Sequence, residues 1–180
     1  MLNHLLAILL RNYGTSIIKP ISLNKDEISN FLAIGIDTGK SGGICMISGS
    51  NMVTMKCPAS IHEMADIIRN VSEMDRSMQI MACVEKNHSW TGQGVKSTWT
   101  FGYNSGAWEA ILCSFNIPYM LVPPIKWMRH FSVPKMDKAA RKKYLKHEAI
   151  KLYPYHKKQI TLATADAILI AKYAKDIHIK

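Results

Sequence analysis

The sequence predicts an α/β protein: a mixed five-stranded sheet flanked by helices. Short apolar runs rich in β-branched residues recur at 31–37, 42–48, 52–57, 79–85 and 117–124, bounded by glycine, proline or polar residues. The first three follow one another through tight turns, as in an antiparallel meander, whereas the later ones alternate with helical patterns. At 180 residues and 48% apolar composition, the chain has the size and content of one domain with a substantial core.

Each element has its own signal. FLAIGID (31–37) reads as a fully buried strand, and GGICMIS (42–48) and MVTMKC (52–57), parted by a turn at 49–51, complete the meander. Ile61, Met64, Ala65, Ile67, Ile68 and Val71 then fall at helical spacing, with Ser60 as N-cap and Glu63 as its capping-box partner. QIMACVE (79–85) is a second buried strand. KNHSWTGQGVKSTW (86–99) mixes glycine with polar residues, shows no period and reads as a loop. A helix is expected over 105–115, a short strand in IPYMLVPP, and one or two helical turns in PIKWMRHF. KAARKKYLKHEAIKLYP is a basic helix ended near Pro154, and ATADAILIAKYAKD (163–176) is the last helix. This order, with a meander feeding strand–helix alternation, is that of the ribonuclease-H-like fold. Residues 31–180 are assigned to that domain and residues 1–30 to an N-terminal extension of unknown role.

Charge is unevenly placed. Residues 1–125 carry nine Lys/Arg and nine Asp/Glu, whereas 126–180 carry fourteen basic and four acidic residues and supply the whole net +10. A neutral part joined to a basic part suits one face that meets a polyanion; the plainer reading is a lysine-rich solvated surface. No apolar run approaches the roughly 20 residues of a membrane span. The start, MLNHLLAILLRNYG, is too short in its apolar run for a signal-peptide core. The absence of acids before Asp26 hints at an organellar presequence, with a docked or frayed helix as the default reading. Cys45, Cys57, Cys83 and Cys113 stand singly in apolar segments, as expected of buried, reduced thiols in an intracellular protein.

The stretch GIDTGKS (35–41) invites comparison with a phosphate-binding loop. That loop requires four residues between its glycines and an emerging helix. Here Gly35 and Gly39 are separated by three residues, and GGICMISGS has strand and turn character. The other reading makes Asp37 the functional group, as a carboxylate at the end of a buried strand. Metal-assisted phosphodiester hydrolysis needs several such acids, because hard divalent ions prefer oxygen ligands. Three acids qualify. Asp37 ends the first strand, Glu85 ends QIMACVE after six uncharged residues, and Asp166 has five uncharged residues on either side. Singly, each could be a strand-end or helix acid that reaches solvent; together, on two buried strands and the last helix, they form a pattern. Burying such groups is costly without a partner.

At these residues the sequence resembles a family. IGIDTGKSGGI, VEKNHSWTGQGVKSTWTFGYNSGAWEAIL, IPYMLVPPIKWM and TADAILIAKY are similar, in order, to the RuvC-type Holliday junction resolvases (crossover junction endodeoxyribonucleases). The compact versions of phages and some bacteria are the most similar, over about residues 32–175. The resemblance implies a ribonuclease-H-like endonuclease that cuts four-way DNA junctions as a homodimer with Mg²⁺, for which Mn²⁺ substitutes. It also implies a location in the cytoplasm or nucleoid of a bacterium or of a phage- or virus-infected cell. Asp37 would bridge two ions, with Glu85 and Asp166 as further ligands. The family commonly has another Asp or His three residues before the last aspartate, where this chain has Ala163; Thr161 and Thr164 are weak substitutes.

The loop after Glu85 resembles the segment that enters the junction. His88, Trp90 and Trp99 are therefore candidate base stackers, with core packing the preferred reading for Trp99. Lys86, Lys96 and Lys126 are candidate phosphate contacts, and Lys138, Arg141, Lys142, Lys143 and Lys146 form a basic helix able to track a DNA arm. The alternatives are a ribonuclease-H-like nuclease for other branched or hybrid substrates, and a non-catalytic junction-binding protein. The actin and sugar-kinase ATPases share a GIDxG turn, but their second phosphate loop and adenosine motif are absent here.

Overall fold

The computed structural model describes residues 30–39, 41–74, 77–86, 92 and 94–178. Residues 1–29 of the proposed extension, His88 and Trp90 lie outside them. The elements run β1 (Phe31–Asp37), β2 (Gly43–Ser48), β3 (Asn51–Lys56), α1 (Ile61–Ser72), β4 (Gln79–Glu85), α2 (Val95–Ser114), β5 (Tyr119–Val122), α3 (Pro124–His130), α4 (Lys138–Leu152), a 3₁₀ turn (Pro154–His156) and α5 (Ala165–His178). The expected order is present. The sheet is ordered β3-β2-β1-β4-β5, antiparallel through β3, β2 and β1 and parallel through β1, β4 and β5.

Alternation along the strands divides the core in two. Leu32, Ile34 and Ile36 of β1, with Ala82 and Val84 of β4, pack beneath α1 and α2. Ala33 and Cys83 face the opposite way, into a cluster with Trp127, Leu145, Ala149 and the apolar residues of α5. The odd-numbered positions of both strands therefore face α3, α4 and α5, and Asp37 and Glu85 are odd-numbered strand ends. The strands' parity sets both acids on one face.

Local chemistry explains most boundaries. Ser60 and Glu63 close the expected capping box on α1, and Asp137 caps α4 by accepting from Ala139 and Ala140 N–H. One boundary differs by ten residues: α2 begins at Val95, not 105. Its first half turns no apolar face to the core; Val95, Trp99 and Tyr103 are 87%, 71% and 52% exposed. Only Trp108, Ile111 and Leu112, in its second half, are buried. Trp99 is thus a surface residue rather than a core one. The cysteines divide likewise: all four are free, with Cys45 and Cys83 buried, Cys57 half-buried and Cys113 exposed on α2.

Helix α5 lies against β1 at Gly35, where a Cβ would come within 2.2 Å of both Ala167 O and Ala171 N. Gly35→Ala should therefore force the helix off the strand and destabilise the protein by about 1–3 kcal/mol or more. Gly106, on α2 with open space around it, is the control: alanine there should stabilise by up to about 1 kcal/mol through helix propensity. Urea unfolding midpoints of the two variants test the pair, and equal shifts would refute the close packing.

Candidate active site

Strands β1 and β4 lie side by side and parallel, with Gly35 opposite Cys83 and Ile36 opposite Val84. Their ends therefore deliver Asp37 and Glu85 to the same edge of the sheet. Helix α5, held against Gly35, begins beside them and carries Asp166 in its first turn, where the helix dipole favours negative charge. All three carboxylates are buried, at 6%, 7% and 8% exposure for Asp37, Glu85 and Asp166.

Each acid is held differently. Asp37 Oδ1 accepts a 3.0 Å hydrogen bond from Gly39 N–H, within a turn closed by Gly42 N–H donating to Gly39 O. A Cβ on Gly42 would stand 2.6 Å from Asp37 Cγ, so glycine leaves room for the carboxylate. Asn104 of α2 anchors the next residue by donating to Thr38 O at 3.3 Å. Glu85 Oε1 accepts from Trp127 Nε1 at 3.0 Å. Trp127 reaches it because β5 pairs beside β4, with Val122 opposite Glu85, and Pro123 and Pro124 turn the chain into α3. Asp166 Oδ2 accepts from Lys142 Nζ at 2.6 Å, and its buried Oδ1 has no hydrogen-bond partner.

Lys142 is the cation of this group. Its Nζ is also 3.9 Å from Asp37 Oδ2, and the Glu85 charge reaches it as well. Burial alone would depress its ammonium, but Asp166, Asp37 and Glu85 outweigh burial and hold it above the ordinary lysine value. Burial, followed by the charge of Asp166, pushes the Asp37 carboxyl above its usual range, against the opposing pull of Gly39 N–H and Lys142.

The structure brings Asp37, Glu85 and Asp166 to one face, as expected. It places Lys142, assigned to the basic DNA-tracking helix, among them instead of on the outer surface. The signal was present: Lys142 lies three residues before Leu145 and seven before Ala149, the two buried residues of α4. Lys86, Lys96, Lys126, Lys138 and Lys143 are exposed, and Arg141 is half-buried. Ala163 contributes no ligand, and the Thr161 and Thr164 hydroxyls bond to each other and to nearby backbone before α5. Trp127 and Gly42 are site residues that periodicity alone does not reveal. Among the described residues, no three carboxylate, imidazole or thiol groups stand close enough as they lie to share one metal ion. Nor is any described helix long and apolar enough to cross a membrane.

The architecture is that of the ribonuclease-H-like fold, as RuvC displays it. The chain is similar to Thermus thermophilus RuvC solved in complex with a Holliday junction substrate, with TM-score 0.55 and 13% identity over 78% of this chain and 90% of that one. A second Thermus thermophilus RuvC structure gives TM-score 0.51 and 15% identity over the same shares. No protein-family model matches the sequence, and no curated protein does.

Two outcomes follow from this geometry. The folded state raises the Asp37 pKa above the 3.8 of an unperturbed aspartate, so ionising Asp37 opposes folding once pH rises through that value. Asp37→Asn should melt at a higher temperature than the parent chain in chelator at pH 7, and the gap should close as pH falls below about 4. An Asn variant that melts lower at pH 7 would contradict the assignment. Trp127→Phe, which removes the donor to Glu85, should cost about 1–3 kcal/mol in chemical unfolding.

Proposed function

We propose that this chain is a divalent-metal-dependent endonuclease that resolves four-way DNA junctions as a homodimer inside the cell. The observation that carries this reading is the placement of three buried acids at the ends of two central strands and at the start of the last helix. They stand in a fold shared with a RuvC whose structure was solved on a Holliday junction. Asp37, Glu85 and Asp166 are the residues that would hold Mg²⁺ or Mn²⁺. The chemistry of the donor set fits: all are hard carboxylate oxygens, and Asp166 Oδ1 is buried without a partner. The chemistry such an ion would supply there is Lewis-acid polarisation of a phosphate and a lowered pKa for a bound water.

The chain's own residues supply the rest. Trp127 fixes the Glu85 carboxylate, and the Gly39–Gly42 turn fixes that of Asp37. Exposed Lys86, Lys96, Lys126, Lys138 and Lys143 offer phosphate contacts, which position a duplex arm without reading its sequence. His88 and Trp90 keep their proposed part as base stackers in the junction. The exposed Val95, Trp99 and Tyr103 recur at four-residue spacing on α2, a face suited to a second copy of the chain.

A second reading, a junction-binding protein without cleavage, is favoured by Ala163 in place of a fourth ligand and by Lys142 within the acid group. A substrate panel of four-way junction, flap, RNA:DNA hybrid and linear duplex, with Mg²⁺, Mn²⁺ or chelator, separates these. The nuclease reading expects metal-dependent cutting of the four-way junction above the others. It also expects a loss of about a hundredfold or more in Asp37→Asn, Glu85→Gln and Asp166→Asn, with junction binding retained. Near-parental cutting by Asp37→Asn would refute the site, and tight binding with no cutting under any metal would establish the second reading.

A further inference from the structure

Lys142 is the feature that the nuclease reading does not use. Helix α4 is basic nearly throughout, yet this one ammonium turns inward to the carboxylates while Lys138 and Lys143 stay exposed. Its Nζ bonds Asp166 Oδ2 at 2.6 Å and approaches Asp37 Oδ2 to 3.9 Å. These are the two acids that ends of separate elements, β1 and α5, bring together. Without a counter-charge two buried carboxylates repel each other and lose hydration, so the ammonium holds the pair in place.

The same position sets it against a metal ion. A divalent cation drawn to Asp37 and Asp166 would meet an ammonium already on that carboxylate edge, and like charges in a poorly solvated site repel strongly. The lysine is free to leave: its side chain is 30% exposed and is a flexible four-carbon stem. The second oxygen of Asp166, buried and without a partner, points to a ligand that the ammonium does not replace. Taking the acids as metal ligands, as the nuclease reading does, we propose that Lys142 is a resident counter-ion of the acid group which metal binding must displace. It keeps the metal-free centre assembled and weakens its hold on the ion. Among the described residues, the ion pairs of Asp37 and Asp166 are made with Lys142 and with no cation of another element.

The test compares the full chain with Lys142→Met and Lys142→Arg by titration with Mn²⁺ alone, followed by calorimetry or by the loss of free-ion paramagnetic signal, and by melting in chelator. Lys142→Met should bind Mn²⁺ about tenfold tighter or more, since a competing charge has gone, while melting several degrees lower without metal. Lys142→Arg, which keeps the cation, should bind Mn²⁺ within about threefold of the parent. Unchanged or weaker binding by Lys142→Met overturns displacement, because a purely structural lysine would disorder the site on removal. Should Lys142→Met not fold, Lys142→Arg decides: tightening of about tenfold there overturns the proposal. The underlying metal reading fails separately, and visibly, if the parent and both folded variants bind no Mn²⁺ at all.

Discussion

With no side chain at Gly35, the backbone of α5 rests directly on β1, and this contact sets the position of the third acid. The helix meets the strand through small residues: Ala167 and Ala171 stand where a Cβ on Gly35 would have to go. Asp166 is the neighbour of Ala167, so its distance from Asp37 follows from how closely helix and strand approach. The other two acids need no such device. They end adjacent parallel strands, and pleating alone sends both toward α3, α4 and α5. Two acids are thus placed by the sheet and one by a helix held close to it.

That arrangement runs against stability. Asp37 has its ionised form disfavoured by burial and by Asp166, and only a backbone amide and Lys142 pull the other way. A domain selected for stability alone would fill this edge with apolar side chains, which often serve at least as well as a buried ion pair. Groups whose titration is displaced by burial and by a specific charged neighbour gather at sites of chemistry. The supporting residues point the same way. Trp127 is almost fully buried yet directs its one N–H at Glu85, and Gly42 gives up a side chain where one would strike the Asp37 carboxylate.

The sheet, the capped first helix and the three acids were legible because each is written locally. Apolar runs with turn residues between them specify strands, and an acid ending such a run is conspicuous. The first half of α2 was not legible. A helix packed into the core at one end by Trp108, Ile111 and Leu112 continues toward its start with Val95, Trp99 and Tyr103 exposed, so no core-facing stripe marks that half. Trp99 differs for the same reason, since an aromatic beside an apolar helix reads as core, whereas this one lies on the helix's exposed face. Trp127 and Glu85 are distant in sequence and meet only through the β4–β5 pairing. No periodicity encodes such a contact.

The basic C-terminal part shows why charge counting reads direction poorly. Its surplus of lysine and arginine was expected to form one outward, polyanion-facing surface. Helix α4 instead divides its cations: Lys138 and Lys143 are exposed, while Lys142, on the side of Leu145 and Ala149, enters the acid group. The two uses are physically connected. Three buried carboxylates would repel an approaching polyanion, and a cation among them lowers that barrier. The lysine that offsets the acids most closely also opposes any second cation on them, so the charge that lets the centre fold is the charge that limits what it binds.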